Sequence, residues 1–260
     1  MYNLPQSTIV NRVIPKKTFV NQLGANTRIK DHFTNDVVRV EWLAKLAPST
    51  INVADGKEVH EITIFLVPVK DENCPDDIFS FIDDKRIVRP ANYTKGLPGN
   101  DYSIVNKNNK RIAVINLIGR TSMGILSENP FIVANDIYNK LKNQADIFVL
   151  DFHAEATAEK IAMGYYMDGK YTIVYGTHTH VQTADEQILE KGTAYITDIG
   201  MTGPKKSVIG MDVDVSFKRF VTSLPERYKL ADSEAMINGC VFKINDETNR
   251  TEEIIRINNR

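Results

Sequence analysis

Three continuous apolar runs set the tightest limit on how this chain can fold. They are "RIAVINLIG" at 111–119, "DIFVLDFH" at 146–153 and "YTIVYG" at 171–176. Their apolar residues are consecutive rather than alternating, which is the pattern of strands covered on both faces. Helical segments separate them. In "PFIVANDIYNKLKN" (130–143), Phe131, Ala134, Ile137 and Leu141 share one helical face and Pro130 stands at the start, where a proline is well tolerated. "AEATAEKIAMGYYMDG" (154–169) reads as a helix stopped by Gly169, while "TAYITDIG" (193–200) and "GCVFKIN" (239–245) read as a fourth and a fifth strand. Strands alternating with helices predict an α/β fold with a layered α/β/α arrangement.

The first 77 residues have a different texture. A mixed polar segment with Pro5 and Pro15 leads into "FTNDVVRVEWLAKLAP" (33–48). There Val37, Val40, Leu43 and Leu46 recur every three residues and Pro48 follows, which predicts a helix. "KEVHEITIFLVPVK" (57–70) is a predicted strand around Ile62, Ile64, Leu66 and Val69, and the acidic "KDENCPDD" (70–77) reads as a boundary.

Charge and cysteine usage exclude several function classes. A net charge of −1 over 260 residues carries no basic footprint for bulk nucleic acid. Cys74 and Cys240, far apart in sequence, make neither a disulfide framework nor a metal-type spacing. The N-terminus lacks the apolar stretch of a signal peptide, and no run approaches the roughly 18 apolar residues of a membrane span. A cytoplasmic location is the expectation.

Two of the predicted strands run into histidine. "IFVLDF" ends at His153, and "YTIVYG" leads into Thr177-His178-Thr179-His180. Sites in open α/β folds gather beyond the carboxyl ends of strands, so three imidazoles from two such loops would meet one ion. On an extended segment His178 and His180 would point the same way. Imidazole suits Zn, Fe, Mn or Ni, and its second nitrogen needs an acceptor. Asp151, Glu155, Asp185 and Asp198 are the candidates for that orienting role. The other two histidines, His32 and His60, read as ordinary structural residues, and Asp83, Asp84 and Glu159 as surface or helix-start charges. Three neutral histidines match a mononuclear site with an open fourth position. They suit two adjacent divalent ions poorly, because such a pair wants bridging carboxylate and anionic ligands.

Several blocks carry a family resemblance: "IFSFIDDKRIVRPANYTKGLPGNDY", "KRIAVINLIGR", "VLDFHAEATAEKIAMGYYMDGKYTIVYGTHTHVQTADEQIL", "KGTAYITDIGMTGPKKSVIGMD" and "INGCVFKIN". In this order, over residues 78–260, they resemble the YmdB-type calcineurin-like metallophosphoesterases, bacterial phosphodiesterases associated with 2′,3′-cyclic nucleotides. The resemblance implies a layered metallophosphoesterase fold and a dinuclear centre, commonly iron, with manganese or zinc as alternatives. It implies that His153 of "DFHAE" and His178 and His180 of "GTHTH" are metal ligands. It further implies attack of a metal-activated hydroxide on phosphorus, a small phosphodiester or nucleotide substrate and no membrane partner, and it leaves self-association open.

The family's early motifs are missing: Gly-Asp, Asn-Gly-Glu-Asn and Gly-Asn-His, the last carrying the histidine that protonates the leaving oxygen. None occurs in residues 1–77. Those residues instead resemble an uncharacterised bacterial domain. The expected organisation is a 1–75 segment of that unrelated α+β domain joined to a 76–260 metallophosphoesterase portion lacking its usual N-terminal strands. No catalytic residue is assigned, and at most one ion is expected; Glu58 or Glu61 beside His60 would be the replacements to look for. The alternative is a non-catalytic hybrid that binds metal, or serves as an interaction module, without turnover.

Overall fold

The computed structural model describes residues 83–85 and 87–259, together with the backbone of two earlier strands, β1 (Val40–Asn52) and β2 (Glu58–Lys70). The other strands are β3 (Tyr102–Lys107), β4 (Lys110–Ile118), β5 (Ile147–His153), β6 (Ile173–Thr177), β7 (Gln187–Ile188), β8 (Ala194–Ile196), β9 (Gly203–Pro204), β10 (Ala235–Asn245) and β11 (Thr251–Asn259). Among the described residues three helices join them: α1 (Pro130–Leu141), α2 (Thr157–Met167) and α3 (Val213–Thr222).

A six-stranded sheet in the order β3-β4-β5-β6-β8-β7 carries the core. Its centre is parallel, from β4 through β5 and β6 to β8, and β3 and β7 pair antiparallel at the edges. The continuous apolar runs follow from coverage on both faces. One face sets Ile115, Leu117, Leu150, Phe152 and Val174 against Ala134, Ile137 and Leu141 of α1 and Met163 and Met167 of α2. The opposite face sets Ile112, Val114, Ile147, Val149, Ile173 and Tyr175 against Cys240, Phe242 and Ile244 of β10. The layered α/β class holds, and the layer opposite the helices is a second sheet, in the order β1-β2-β10-β11 with β9 also on β10. The expected fifth strand belongs to that second sheet.

Helix α1 starts where the sequence predicts and α2 stops where it predicts, though α2 begins at Thr157 rather than at Ala154. Asn129 accepts a hydrogen bond from Phe131 N at 3.0 Å, capping α1, and Pro130 follows it. Helix α2 ends just before Gly169, whose φ of +82° suits glycine.

The helix predicted over 33–48 is different. Its first seven residues lie outside the described ones, and from Val40 the chain is strand β1, paired antiparallel with β2 from Val40↔Lys70 to Asn52↔Glu58. The same residues also alternate (Val40, Trp42, Ala44, Leu46), so pairing decides between two periods. Pro48 is tolerated because β1 is an edge strand. The strand predicted over 57–70 is present as β2, paired to β10 from Phe65↔Gly239 to Val59↔Asn245.

Two outcomes test this core. A β-carbon on Gly164 of α2 would lie 2.5 Å from the Tyr195 ring. Gly164→Ala, which in an exposed helix would stabilise by about 1 kcal/mol, is expected here to destabilise by about 1–3 kcal/mol through overpacking, read from the denaturant midpoint. Burial pushes the Cys240 thiol up to about 12, and a protonated buried thiol is inert. Thiol reagents at pH 8 are expected to modify Cys240 only in denaturant, as peptide mass mapping would show.

Candidate metal centre

Strands β5 and β6 are parallel neighbours in register His153↔Thr177, so their carboxyl ends bring His153 beside the His178-Thr179-His180 loop. His153 Nδ1 lies 3.0 Å from Thr177 Oγ1, and Thr177 Oγ1 donates to Asp151 Oδ1 at 2.9 Å. When Asp151 is ionised, it takes the single proton of the Thr177 hydroxyl. The network then assigns the ring proton of His153 to Nδ1 and leaves the Nε2 lone pair directed away from the relay. Burial, and next the neighbouring His178, push His153 down to about 4, so its imidazole is neutral at pH 7. Burial raises Asp151 to about 7, against the hydrogen bonds from Thr177 and Asn116.

His178 Nδ1 stands 3.0 Å from His153 Nε2, with the rings nearly perpendicular, and His178 Nε2 lies 3.1 Å from Glu155 Oε2. Two nitrogens bound about 2.1 Å from one ion sit about 3.0–3.4 Å apart, so the His153–His178 spacing is that of two ligands on one ion. His180 follows a different course. Its Nδ1 donates to the carbonyl of Ile209 at 3.0 Å, and burial lowers its pKa. A backbone acceptor on Nδ1 is a usual outer partner of an Nε2 metal ligand. The donor chemistry thus suits a divalent ion. Among the described residues, however, no three His, Cys, Asp or Glu side chains close on a common point.

The expectation that His178 and His180 lie on an extended segment is corrected. Their φ angles are +106° and +66°, a region L-residues rarely adopt and one that costs on the order of 1–3 kcal/mol at each. The loop is coiled, which turns His178 toward His153 and His180 toward Ile209.

The four candidate orienting carboxylates divide by role. Asp151 acts on His153 through Thr177, and Glu155 meets His178 directly. Asp185 accepts from Thr197, through its backbone N at 3.2 Å and its hydroxyl. Asp198 touches no imidazole; its Oδ2 accepts from Thr179 N at 3.0 Å, Thr179 Oγ1 at 2.8 Å and Lys160 Nζ at 3.0 Å. Glu159, in the first turn of α2, accepts from the backbone N of Arg120 and Thr121, and Asp83 accepts from Gly99 N. His32 and the side chains of Glu58, His60 and Glu61 lie outside the described residues.

Sequence reasoning missed Thr177, Thr179 and Lys160. Only Lys160 left a signal: it takes a core position in α2, in line with buried Met163, Gly164 and Met167, where a lysine is rare unless paired. Its stem passes Gly176, where a β-carbon would lie 2.8 Å from Lys160 Cδ and 1.8 Å from the carbonyl oxygen of Thr197. Only glycine fits there.

Residues 73–257 match the family profile described as YmdB-like protein, and residues 2–89 match that of a domain of unknown function, DUF4391. The chain is 48% identical over 182 residues to the 2′,3′-cyclic-nucleotide 2′-phosphodiesterase of Bacillus subtilis (strain 168), covering 70% of this chain and 69% of that protein. It is similar to the crystal structure of a novel phosphatase from Mycoplasma pneumoniae, with a TM-score of 0.66 and 35% identity over 72% of this chain and 69% of that one. A hypothetical protein from Thermus thermophilus has a TM-score of 0.65 and 32% identity, over 70% of this chain and 71% of its own. Among the described residues no helix is long and apolar enough to cross a membrane. With its strand-end histidines and a profile match running from residue 73 to 257, this chain belongs to the YmdB-like family.

Proposed function

We propose that this chain binds one divalent ion through His153, His178 and His180 and acts within a phosphodiesterase family whose substrates are small phosphodiesters such as 2′,3′-cyclic nucleotides. Its own residues supply part of the centre and leave it incomplete. The observation that carries the reading is the relay Asp151–Thr177–His153, which holds a neutral imidazole with Nε2 directed out of the relay, 3.0 Å from His178. The substrate class is taken from the 48% identical relative, a 2′,3′-cyclic-nucleotide 2′-phosphodiesterase.

A bound ion would supply Lewis acidity toward a phosphoryl oxygen. The chain's own residues contribute the rest. Thr177 and Asp151 fix the ring of His153, Ile209 fixes that of His180, and Glu155 stands against His178. Iron is the expected metal, with manganese or zinc as alternatives.

The incomplete centre is favoured by two observations. The residues ahead of 73 fall outside the YmdB-like match and inside a DUF4391 match that overlaps it only at 73–89. The Gly-Asp, Asn-Gly-Glu-Asn and Gly-Asn-His motifs are absent from residues 1–77. A non-catalytic hybrid that retains metal binding is the second reading.

Metal content and turnover separate these readings. Protein loaded with iron, manganese or zinc is expected to retain about one ion per chain, and His153→Ala to weaken retention by about tenfold or more, read by elemental analysis after desalting. Hydrolysis of bis(p-nitrophenyl) phosphate and of 2′,3′-cyclic AMP is expected to be absent or very slow with every metal. Rapid metal-dependent turnover that His153→Ala abolishes would overturn the incomplete centre, and no retained metal in the wild type would overturn the proposal itself.

A further inference from the structure

The loop that carries His178 and His180 holds two unfavourable backbone angles and needs something to hold them. Thr179, the residue between the histidines, makes the contact that does so. Both its backbone N–H and its hydroxyl donate to Asp198 Oδ2, at 3.0 and 2.8 Å. Asp198 is itself immobilised on every side. Lys160 Nζ donates to the same oxygen at 3.0 Å, Gly200 N donates to Oδ1 at 2.9 Å, and the backbone N–H of Asp198 donates to Thr183 Oγ1 at 2.9 Å. The Asp198 and Lys160 side chains are 0% and 1% exposed. Lys160 belongs to α2 and reaches across β6 beside Gly176, so the anchor is tied to a helix packed on the core.

We propose that Asp198, held by Lys160, is the positioning residue of the metal-binding loop, acting through Thr179 to set where His178 and His180 stand. This rests on the reading that these histidines bind a metal, and it assigns a role to two residues that touch neither imidazole. A carboxylate that accepts two hydrogen bonds from one residue fixes both the position and the rotation of that residue's peptide. The histidines on either side are then aimed by the peptide rather than by their own side-chain partners alone. Removing such an outer contact typically lowers metal affinity about 10- to 100-fold while leaving the ligands in place.

The test measures binding of Mn²⁺ or Zn²⁺ alone by calorimetry on the full chain, with thermal melting alongside. Thr179→Ala leaves the Lys160–Asp198 pair intact and is expected to weaken metal binding about 10- to 100-fold. Thr179→Ser, which keeps the hydroxyl, is expected to bind within about threefold of the wild type, a rescue that a merely structural role of the threonine methyl would not produce. Asp198→Asn is expected to weaken binding at least as much as Thr179→Ala; if it does not fold, the two threonine variants decide. Wild-type affinity in Thr179→Ala, or an equal loss in the Ala and Ser variants, overturns the positioning role. If the wild type binds no metal, the proposed function fails first; if it binds and Thr179→Ala binds equally well, only the positioning role fails.

Discussion

The ion pair between Lys160 and Asp198 is the contact on which the site end of this protein depends. Both groups are withdrawn from water, and neither would be stable there alone, since removing one partner of a buried pair costs about 3–5 kcal/mol. The pair is satisfied because Asp198 also receives two donors from Thr179 and one from Gly200. One carboxylate thereby joins helix α2, the loop after β6 and the turn after β8. Gly176 is part of the same device, because any side chain there would strike both the Lys160 stem and the Thr197 carbonyl oxygen. The result is a rigid platform under a coiled loop.

On that platform the candidate metal centre gathers the strand-end imidazoles. Burial keeps His153 unprotonated at neutral pH and also lowers His180. Two carboxylates stand one step back, Asp151 behind Thr177 and Asp198 behind Thr179, while Glu155 meets His178 directly. Such an arrangement prepares imidazole lone pairs for an ion but, among the described residues, provides no anionic bridge. A pair of divalent ions needs that bridge, and the motifs expected to supply it are missing from residues 1–77.

Much of the sheet was legible because burial on both faces writes a continuous apolar run, as in β4, β5 and β6. Helix α1 was legible from Pro130 and its apolar spacing. Residues 40–48 were not, because a three-residue apolar recurrence and a two-residue alternation coexist there, and pairing with β2 selected the second. The six strands read from the sequence were also divided between two sheets, a choice that depends on partners distant along the chain. At the site, His153 and His178 could be placed together from their positions at the ends of adjacent strands. Their loop could not be, since two positive φ angles at histidine have no local sequence signal. Lys160 left a signal that the sequence reading passed over, a charged residue at a core position of α2.

Sequence by itself determined the α/β class, the strand-end histidines and the kinship of residues 73–257 with a phosphodiesterase family, because these follow from short-range periodicity and from blocks of matching residues. Tertiary structure alone decided that a second sheet covers the face opposite the helices, that Asp198 grips Thr179 rather than an imidazole, and that His180 turns to Ile209 while His178 meets His153. Each of these is a competition among partners brought together by packing. A carboxylate goes to the donors that lie within about 3 Å of it, and only the folded chain determines which donors those are.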